Sequence, residues 1–308
     1  MSPRADPGAA PTGELVPIAD LDDPRIADYR NLKDAGLRAA HEQSAAIFVV
    51  EGRLAVRELL ASRFAVRSLL VDDHQVHNVA DLVAAVRERG APVYVATRAT
   101  VAGVVGFALH RGVVAVAARS AAVDGLSLVD DALDDASRGP ALFAVLDGLN
   151  DHENLGAVFR NAAAFGVAAV LLDPTCADPL YRRSVRVSLG QVLAVPFGRL
   201  APWPDALGTL RAKGVRVVAL TPHVRGGRAH PVEIAELAAR PAGNPLALVL
   251  GAEGPGLSPA ALAAVDELVT IAMPGAVDSL NVATAAAIAF HALTSRTGHA
   301  AAPRGPRR

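Results

Sequence analysis

The chain has 308 residues, 52% of them hydrophobic and 20% charged, a composition that excludes a disordered chain and provides for two domains with sizeable cores. Because 30 Lys and Arg face 31 Asp and Glu, a polyanion would have to be bound by local basic patches. The single cysteine excludes an intrachain disulfide and a cysteine-built metal site. No apolar run reaches the roughly 18–20 residues of a membrane helix, so we expect a cytoplasmic protein without membrane contact.

The first predicted unit covers 21–119, after a Pro-, Gly- and Ala-rich stretch (1–20) that is predicted to be a disordered tail without the apolar core of a signal peptide. Short apolar runs alternate here with helical patterns. The predicted strands are 45–51, 67–73, 92–97 and 112–119, and the predicted helices are 53–63, 77–90 and 98–106. Buried strands that alternate with helices predict an α/β unit with a mostly parallel sheet.

The second predicted unit covers 141–298, after an acidic linker (120–140) with room for a short helix. Its predicted strands are 141–150, 167–173, 192–198, 215–221, 246–251 and 268–273, and its predicted helices are 154–166, 203–214, 258–266 and 281–296. The basic end (299–308) is predicted to be a solvated tail, with weak attraction to phosphate as the alternative. This unit is again α/β, and open α/β sheets place their ligands in the loops after the strands.

The first loop of interest follows the strand at 141–150. Asn154 is a good helix N-cap, which would explain its presence without any function. Arg160 is harder to explain structurally, since it stands in a helix otherwise built from Ala, Val, Phe and Leu. It should face water, a ligand phosphate or a partner subunit.

Two further loops end strands of the same unit. Gly251-Ala252-Glu253-Gly254-Pro255-Gly256 allows close approach of backbone to a ligand, but matches neither of the usual nucleotide fingerprints, GxGxxG and GK[ST]. This absence disfavours an ordinary doubly wound nucleotide enzyme. In the last loop Ser279 or Asn281 can cap the final helix, and Met273 and Leu280 offer apolar walls for an adenine or ribose.

Taken in order, the three loops match the motifs of one family. The second unit resembles the SpoU (TrmH-like) branch of the SPOUT RNA methyltransferases, which transfer a methyl group from S-adenosylmethionine to a ribose 2′-hydroxyl. The matches are N-x-x-x-x-x-R at 154–160, G-x-E-G-x-G at 251–256 and S-L-N-V at 279–282. They span about 130 residues in the family's order.

The resemblance implies a C-terminal deep trefoil knot, a rare exception to the rule against knotted chains. It implies S-adenosylmethionine as cofactor, held in the knot by Gly251, Ile271 and Leu280 with Met273 nearby. Family members are homodimers, so Arg160 is expected to work near the partner's cofactor.

The same resemblance assigns catalytic-site roles to Asn154, Arg160, Glu253, Ser279 and Asn281. A guanidinium hardly loses its proton in proteins, so we expect Arg160 to stabilise the developing alkoxide and the target phosphate rather than to act as a base. Asn154 would position Arg160 or the ribose, Glu253 would orient this group, and Ser279 and Asn281 would shape the substrate pocket.

The first unit resembles the L30e-like substrate-binding domain of many SpoU enzymes, through Glu51-Gly52 and His110-Arg111-Gly112. That domain favours 23S rRNA as the substrate over tRNA. A tRNA methyltransferase and a non-catalytic RNA-binding or ribosome assembly factor on the same fold are the alternatives.

Basic clusters that are compatible with an RNA backbone, or with an ordinary surface, are Arg182, Arg183 and Arg186, and Arg225 and Arg228. We predict no metal site, because the pair His74 and His77 has no third ligand nearby.

Overall fold

The computed structural model describes residues 15–107, 109, 112–135, 139–222, 231–241, 243–275 and 278–295. The chain divides into two compact units. The N-terminal unit comprises Met1–Ala121 and Leu180–Ala194, and the C-terminal unit comprises Ala122–Pro179 and Val195–Arg308. Several residues singled out in the sequence lie outside the described residues: His110, Arg111, Arg225, Arg228 and the basic tail 299–308.

The N-terminal unit is built on a five-stranded mixed sheet in the order β1-β4-β3-β5-β2. Its elements are β1 (Leu15–Ile18), α1 (Ala35–Ser44), β2 (Ile47–Glu51), α2 (Arg53–Ala61), β3 (Val66–Asp72), α3 (Ala80–Glu88), β4 (Val93–Ala96), α4 (Arg98–Val105), β5 (Val113–Ala118) and, from the second stretch of chain, α7 (Arg182–Val187). Strands β1, β4 and β3 are parallel, whereas β5 runs antiparallel to both β3 and β2. Four of the five strands therefore run in the same direction, as expected for a mostly parallel sheet, and β5 is the exception.

Strand β1 lies inside the stretch 1–20 that was predicted to be disordered, so that prediction is wrong for Leu15–Ile18. The strand pairs with β4 along its length, and Val16 and Ile18 alternate into the hydrophobic core. Burial of this alternating apolar face offsets the conformational entropy that ordering the segment costs.

The C-terminal unit is built on a seven-stranded parallel sheet in the order β10-β12-β9-β11-β6-β7-β8. Its elements are α5 (Gly125–Asp134), β6 (Leu142–Asp147), α6 (His152–Phe165), β7 (Ala169–Leu172), β8 (Phe197–Arg199), α8 (Asp205–Ala212), β9 (Arg216–Leu220), β10 (Val232–Glu233), α9 (Ile234–Ala239), β11 (Leu246–Gly251), α10 (Pro259–Ala264), β12 (Glu267–Thr270) and α11 (Val282–Thr294). Because β6, β9, β11 and β12 are parallel, the loops that follow them all leave one edge of the sheet.

Part of the predicted linker 120–140 is helix α5 of this unit. Asp124 caps the helix through the backbone N–H of Ser127, and Val129 is buried with Phe143 in the core. The acidic residues of α5 therefore form the polar face of an amphipathic helix, and this part of the stretch is not a linker.

Candidate functional site

A cavity of about 460 Å³ lies where the loops after β9, β11 and β12 meet the start of α11. Seven of the nine residues that the sequence singled out for the site line this cavity: Gly251, Glu253, Ile271, Met273, Ser279, Leu280 and Asn281. Leu220, Thr221 and Pro222 at the end of β9 complete one side, and nothing in the sequence pattern had pointed to them. Among the described lining residues Glu253 alone carries a charge.

Asn281 connects the three sequence motifs through its side-chain amide. The Nδ2 group donates to Asn154 Oδ1 at 2.8 Å and to Glu253 Oε1 at 2.5 Å. The Oδ1 atom accepts from the backbone N–H groups of Ala283 and Thr284, which caps α11. One side chain thus fixes the start of the last helix and contacts Asn154, which lies 127 positions away in the chain.

The interpretation of Asn154 as a helix N-cap is wrong. Helix α6 begins two residues earlier, and Asp151 is its cap, accepting from the N–H groups of Glu153 and Asn154. An Asp at this position is as good a cap as Asn. The Asn154 side chain is therefore free of the capping role and is available to accept from Asn281.

Arg160 does not line the cavity. At about 100° per residue, its position on α6 lies about 120° around the helix from Asn154. The side chain is exposed, and within the part of the chain that the structure describes it has no hydrogen bond or ion pair. The single chain therefore brings together eight of the nine predicted residues, seven in the cavity wall and Asn154 through Asn281.

The glycine-rich loop after β11 closes tightly on itself. Ala252 and Gly256 form an isolated antiparallel bridge. A Cβ atom on Gly251 would lie 2.4 Å from the carbonyl carbon of Gly256 and 2.5 Å from the Leu257 nitrogen. Non-bonded atoms do not approach a Cβ atom this closely, so only glycine permits this closure of the loop.

Asp147 is a residue of this site that sequence reasoning missed. Its buried carboxylate accepts from the backbone N–H of Ser258 at 2.6 Å. Ser258 in turn caps α10, so Asp147 attaches the end of the glycine-rich loop to the end of β6. An acidic residue that ends an otherwise apolar strand, as in LFAVLD, was the available signal.

Asn161 directly follows the first motif (154–160) and also connects α6 with α11. It lies about 20° around α6 from Asn154, since seven residues complete nearly two helical turns. Its Nδ2 group donates to the carbonyl oxygen of Ala283 at 2.7 Å. Helices α6 and α11 are thereby joined a second time, next to the contact between Asn154 and Asn281.

Cys176 lies buried near the end of β7, where its Sγ donates to the carbonyl oxygen of Leu146 at 3.3 Å. Burial, reinforced by the negative charge of Asp173, raises the pKa of the thiol to about 12. A buried protonated thiol is a poor nucleophile, so Cys176 contributes to packing and is not a candidate catalytic residue.

The described residues contain no group of three or more His, Cys, Asp or Glu side chains that could hold a metal ion. Among the described helices, none has both the length and the apolar character needed to span a membrane.

Two family models match the chain in adjoining regions. The SpoU rRNA Methylase family matches residues 141–291, which contain all nine predicted site residues. A substrate-binding domain of RNA 2′-O ribose methyltransferases matches residues 49–122. The second model covers most of the sheet of the N-terminal unit.

Known proteins give the same assignment. An uncharacterized tRNA/rRNA methyltransferase of Mycobacterium tuberculosis is 43% identical over 290 residues, which is 94% of this chain and 95% of that protein. The 23S rRNA (guanosine-2′-O-)-methyltransferase RlmB of Vibrio parahaemolyticus is 36% identical over 169 residues, 54% of this chain and 64% of RlmB. An AdoMet-bound rRNA methyltransferase from Sinorhizobium meliloti has a similar structure, with a TM-score of 0.73, 26% identity and coverage of 91% and 98% of the two chains. With similarity over nearly its whole length, the chain belongs to the SpoU family of RNA methyltransferases.

Proposed function

We propose that this protein transfers a methyl group from S-adenosylmethionine to a ribose 2′-hydroxyl of 23S rRNA. The observation that carries the proposal is the hydrogen-bonded group of Asn154, Glu253 and Asn281, which joins all three motifs at one cavity. A packing domain or RNA-binding module has no need for this group, because polar side chains that satisfy only one another add little to stability.

The cavity fits the cofactor in size and in chemistry. Its volume of about 460 Å³ lies in the range of small-molecule sites. Ile271, Met273 and Leu280 offer apolar surface for an adenine ring, and the carboxylate of Glu253 favours a cation over a neutral molecule. When bound, S-adenosylmethionine supplies a methyl group that its positively charged sulfur has already activated.

The protein therefore has to align a hydroxyl nucleophile and stabilise the charge that develops on it. Arg160 is our candidate for the second task, as a cation that contacts the target phosphate and the developing alkoxide. Because Arg160 faces away from the cavity of its own protomer, we propose that it serves the cavity of a partner in a homodimer. A guanidinium keeps its proton, so this role is electrostatic rather than that of a base.

The remaining polar residues hold this arrangement in place. Asn154 and Glu253 fix the amide of Asn281, which leaves Asn281 with a single orientation at the cavity wall. Ser279, two residues before it, lines the same wall and is available to the incoming ribose. These residues position the substrate, and we assign none of them a proton-transfer step.

The choice of 23S rRNA rests on relatives and on domain organisation. RlmB, whose name specifies 23S rRNA guanosine, is similar over part of the chain. We propose 21–119 as the RNA substrate-binding domain and 141–298 as the methyltransferase domain; the family-model matches at 49–122 and 141–291 support this division. An rRNA substrate also places the enzyme in the cytoplasm.

A trefoil knot in the methyltransferase domain is part of the proposal. The sheet order supports it, because β11 lies between β9 and β6 although β9 precedes it along the chain. The last strand, β12, then lies on the far side of β9. After β12 the chain crosses back over the sheet towards α6, because α11 packs against α6 and the carbonyl oxygen of Ala283 at its start accepts from Asn161.

The experiment that tests the function is methyl transfer from labelled S-adenosylmethionine into separate pools of unmodified 23S rRNA, 16S rRNA and tRNA. We expect label in 23S rRNA, recovered after nuclease digestion as a 2′-O-methylnucleoside. Label in tRNA would overturn the choice of substrate and keep the reaction. If the protein does not bind the cofactor and methylates none of the three RNA pools, the alternative of an RNA-binding assembly factor would be favoured.

Arg160→Ala is the matched variant for the catalytic assignment. Its exposed side chain makes no hydrogen bond or ion pair with any described residue, so the variant should fold normally. We expect turnover to fall by at least about 100-fold, the usual effect of removing one stabiliser of developing charge. Near-normal turnover in a normally folded Arg160→Ala protein would refute the role of Arg160.

A further inference from the structure

Helix α7 presents arginines beside strand β2 within the N-terminal unit. Arg182 Nη1 donates to Glu51 Oε2 at 2.8 Å, and Arg186 Nη1 lies 3.6 Å from the same oxygen. Two guanidinium groups thus share one carboxylate. The sequence had placed both arginines in the second unit, but the segment that carries them, Leu180–Ala194, is part of the N-terminal one.

The two arginines differ in how firmly they are held. Arg182 is mostly buried, and its guanidinium lies 4.7 Å from the centre of the Phe107 ring. Arg186 is 46% exposed and has only the longer contact with Glu51. Arg182 is therefore a fixed support, whereas Arg186 keeps most of its hydrogen-bonding capacity for another acceptor.

A third arginine adds positive charge at the same place. Arg38 is buried, pairs with Glu42 at 3.4 Å and lies 4.2 Å from the centre of the Tyr181 ring, directly before α7. We call Arg38, Arg182, Arg186, Glu42 and Glu51 the arginine cluster. Three guanidinium groups face two carboxylates, which leaves one positive charge in excess, and the pKa of Arg182 is lowered by burial and by repulsion from Arg186 and Arg38.

Further charges near the cluster do not remove this excess. Arg53 follows Glu51 by two residues, is exposed, and has no hydrogen bond or ion pair with any described residue. Glu58, on the next turn of α2, lies beside Gly190 and has no hydrogen bond or ion pair with the described residues of α7. The exposed side of the cluster therefore presents arginine.

A guanidinium group matches phosphate well, because two parallel N–H groups can donate to two oxygens. We propose that Arg186, positioned by Glu51 and Arg182, binds a backbone phosphate of the RNA substrate. This inference rests on the proposed function for the nature of the ligand. It identifies the α7 side of the N-terminal unit as a surface that contacts RNA.

The test is equilibrium binding of an unmodified 23S rRNA transcript over a range of salt concentrations. Loss of one phosphate contact lowers the slope of log K against log[salt] by about one and weakens binding roughly 5–10-fold at low salt, so we expect both effects in Arg186→Ala. Arg57→Ala is the control. Arg57 lies in the same unit, is 49% exposed and pairs with Asp81, so the charge change and the exposure are matched.

A second variant is expected to change the affinity for the transcript in the opposite direction. Glu51→Gln keeps an oxygen that accepts from Arg182 but removes a negative charge next to Arg186, so it should bind the transcript several-fold more tightly. A damaged fold does not tighten binding. Equal binding by the parent and Arg186→Ala, equal losses in Arg186→Ala and Arg57→Ala, no gain in Glu51→Gln, or no binding by the parent would each overturn the inference.

Methyl transfer, measured in parallel, separates the two proposals. A parent protein that binds the transcript through Arg186 yet methylates none of the three RNA pools would refute the proposed function and leave this surface established. A parent protein that methylates 23S rRNA while Arg186→Ala binds as tightly would do the reverse.

Discussion

The two ends of the Asn281 amide make different contacts, one structural and one to which we assign a functional task. Its oxygen caps α11, and its nitrogen donates to Asn154 and Glu253. Because the two tasks use different atoms, substitutions can separate them. A serine or an aspartate would suffice for the cap alone, whereas the contacts with Asn154 and Glu253 use the amide nitrogen.

We predict that Asn281→Asp folds but is nearly inactive. The new carboxylate can still cap α11, but it cannot donate to Asn154 and it repels Glu253. Asn281→Ala should lose the cap as well, at a cost of about 1 kcal/mol in the free energy of unfolding. Methyl transfer should fall at least about 100-fold in both variants. Urea unfolding should show the lower free energy of unfolding in the alanine variant alone. Near-parental activity in Asn281→Asp would contradict the role of the Asn281 donors.

Cys176 supplies a pH-dependent prediction. Burial raises its pKa to about 12 from an ordinary value of 9.0, so the protonated thiol favours the folded state. This contribution to stability is complete below pH 9 and is lost as the pH rises towards 12. We therefore expect iodoacetamide to label the folded protein very slowly at pH 8.5 and the guanidinium-unfolded protein quickly. As the chain has one cysteine, Cys176→Ser gives the background, and rapid labelling of the folded protein would refute the burial.

At the scale of elements, the sequence predicted best where a strand or helix carries its own stop signal. Helix α6 ends at Gly166 with a positive φ, as expected, and β11 ends at the first glycine of its loop. Strand β1 was missed, because its four residues follow a Pro- and Gly-rich stretch and are ordered by distant partners, through pairing with β4 and burial of Val16 and Ile18. The contact between Asp147 and Ser258 was beyond prediction, since it joins residues 111 positions apart.

The glycine-rich loop is the element whose shape is most sensitive to one added atom. Gly251→Ala would place a methyl group against the backbone of Gly256 and Leu257, so the bridge between Ala252 and Gly256 would have to open. We expect affinity for S-adenosylmethionine, measured by calorimetry, to fall at least roughly tenfold.

Gly208→Ala is the control for this prediction. Gly208 lies in α8, is not part of the cavity wall, and a Cβ atom there would meet nothing within 4 Å. This variant should bind the cofactor within about threefold of the parent. Equal affinity in the parent and Gly251→Ala would show that loop closure does not matter, and equal losses in both variants would point to a general effect on the fold.

At the scale of the whole molecule, the sequence motifs fall into two groups. Asn154, Glu253 and Asn281 meet within one protomer, whereas Arg160, only six residues after Asn154, faces away from them. Spacing along a helix explains this difference, because six residues do not return to the same face. We therefore propose that the residues of this one motif contribute to two different active sites, for which a symmetric dimer is the simplest assembly.

Co-expression of two inactive variants tests whether Arg160 acts across the dimer. A dimer of one Arg160→Ala protomer and one Asn281→Asp protomer contains one intact site if Arg160 serves the partner, namely the cavity of the first with the arginine of the second. Random pairing makes half of the dimers mixed, so differently tagged and co-expressed variants should recover roughly one quarter of parental activity, and mixed dimers purified through both tags roughly one half. If Arg160 instead serves its own cavity, each mixed dimer would still keep no intact site, since each protomer carries one defect of its own. Sedimentation of the parent gives the control for the assembly, and a monomer, or mixed dimers without activity, would refute the shared active site.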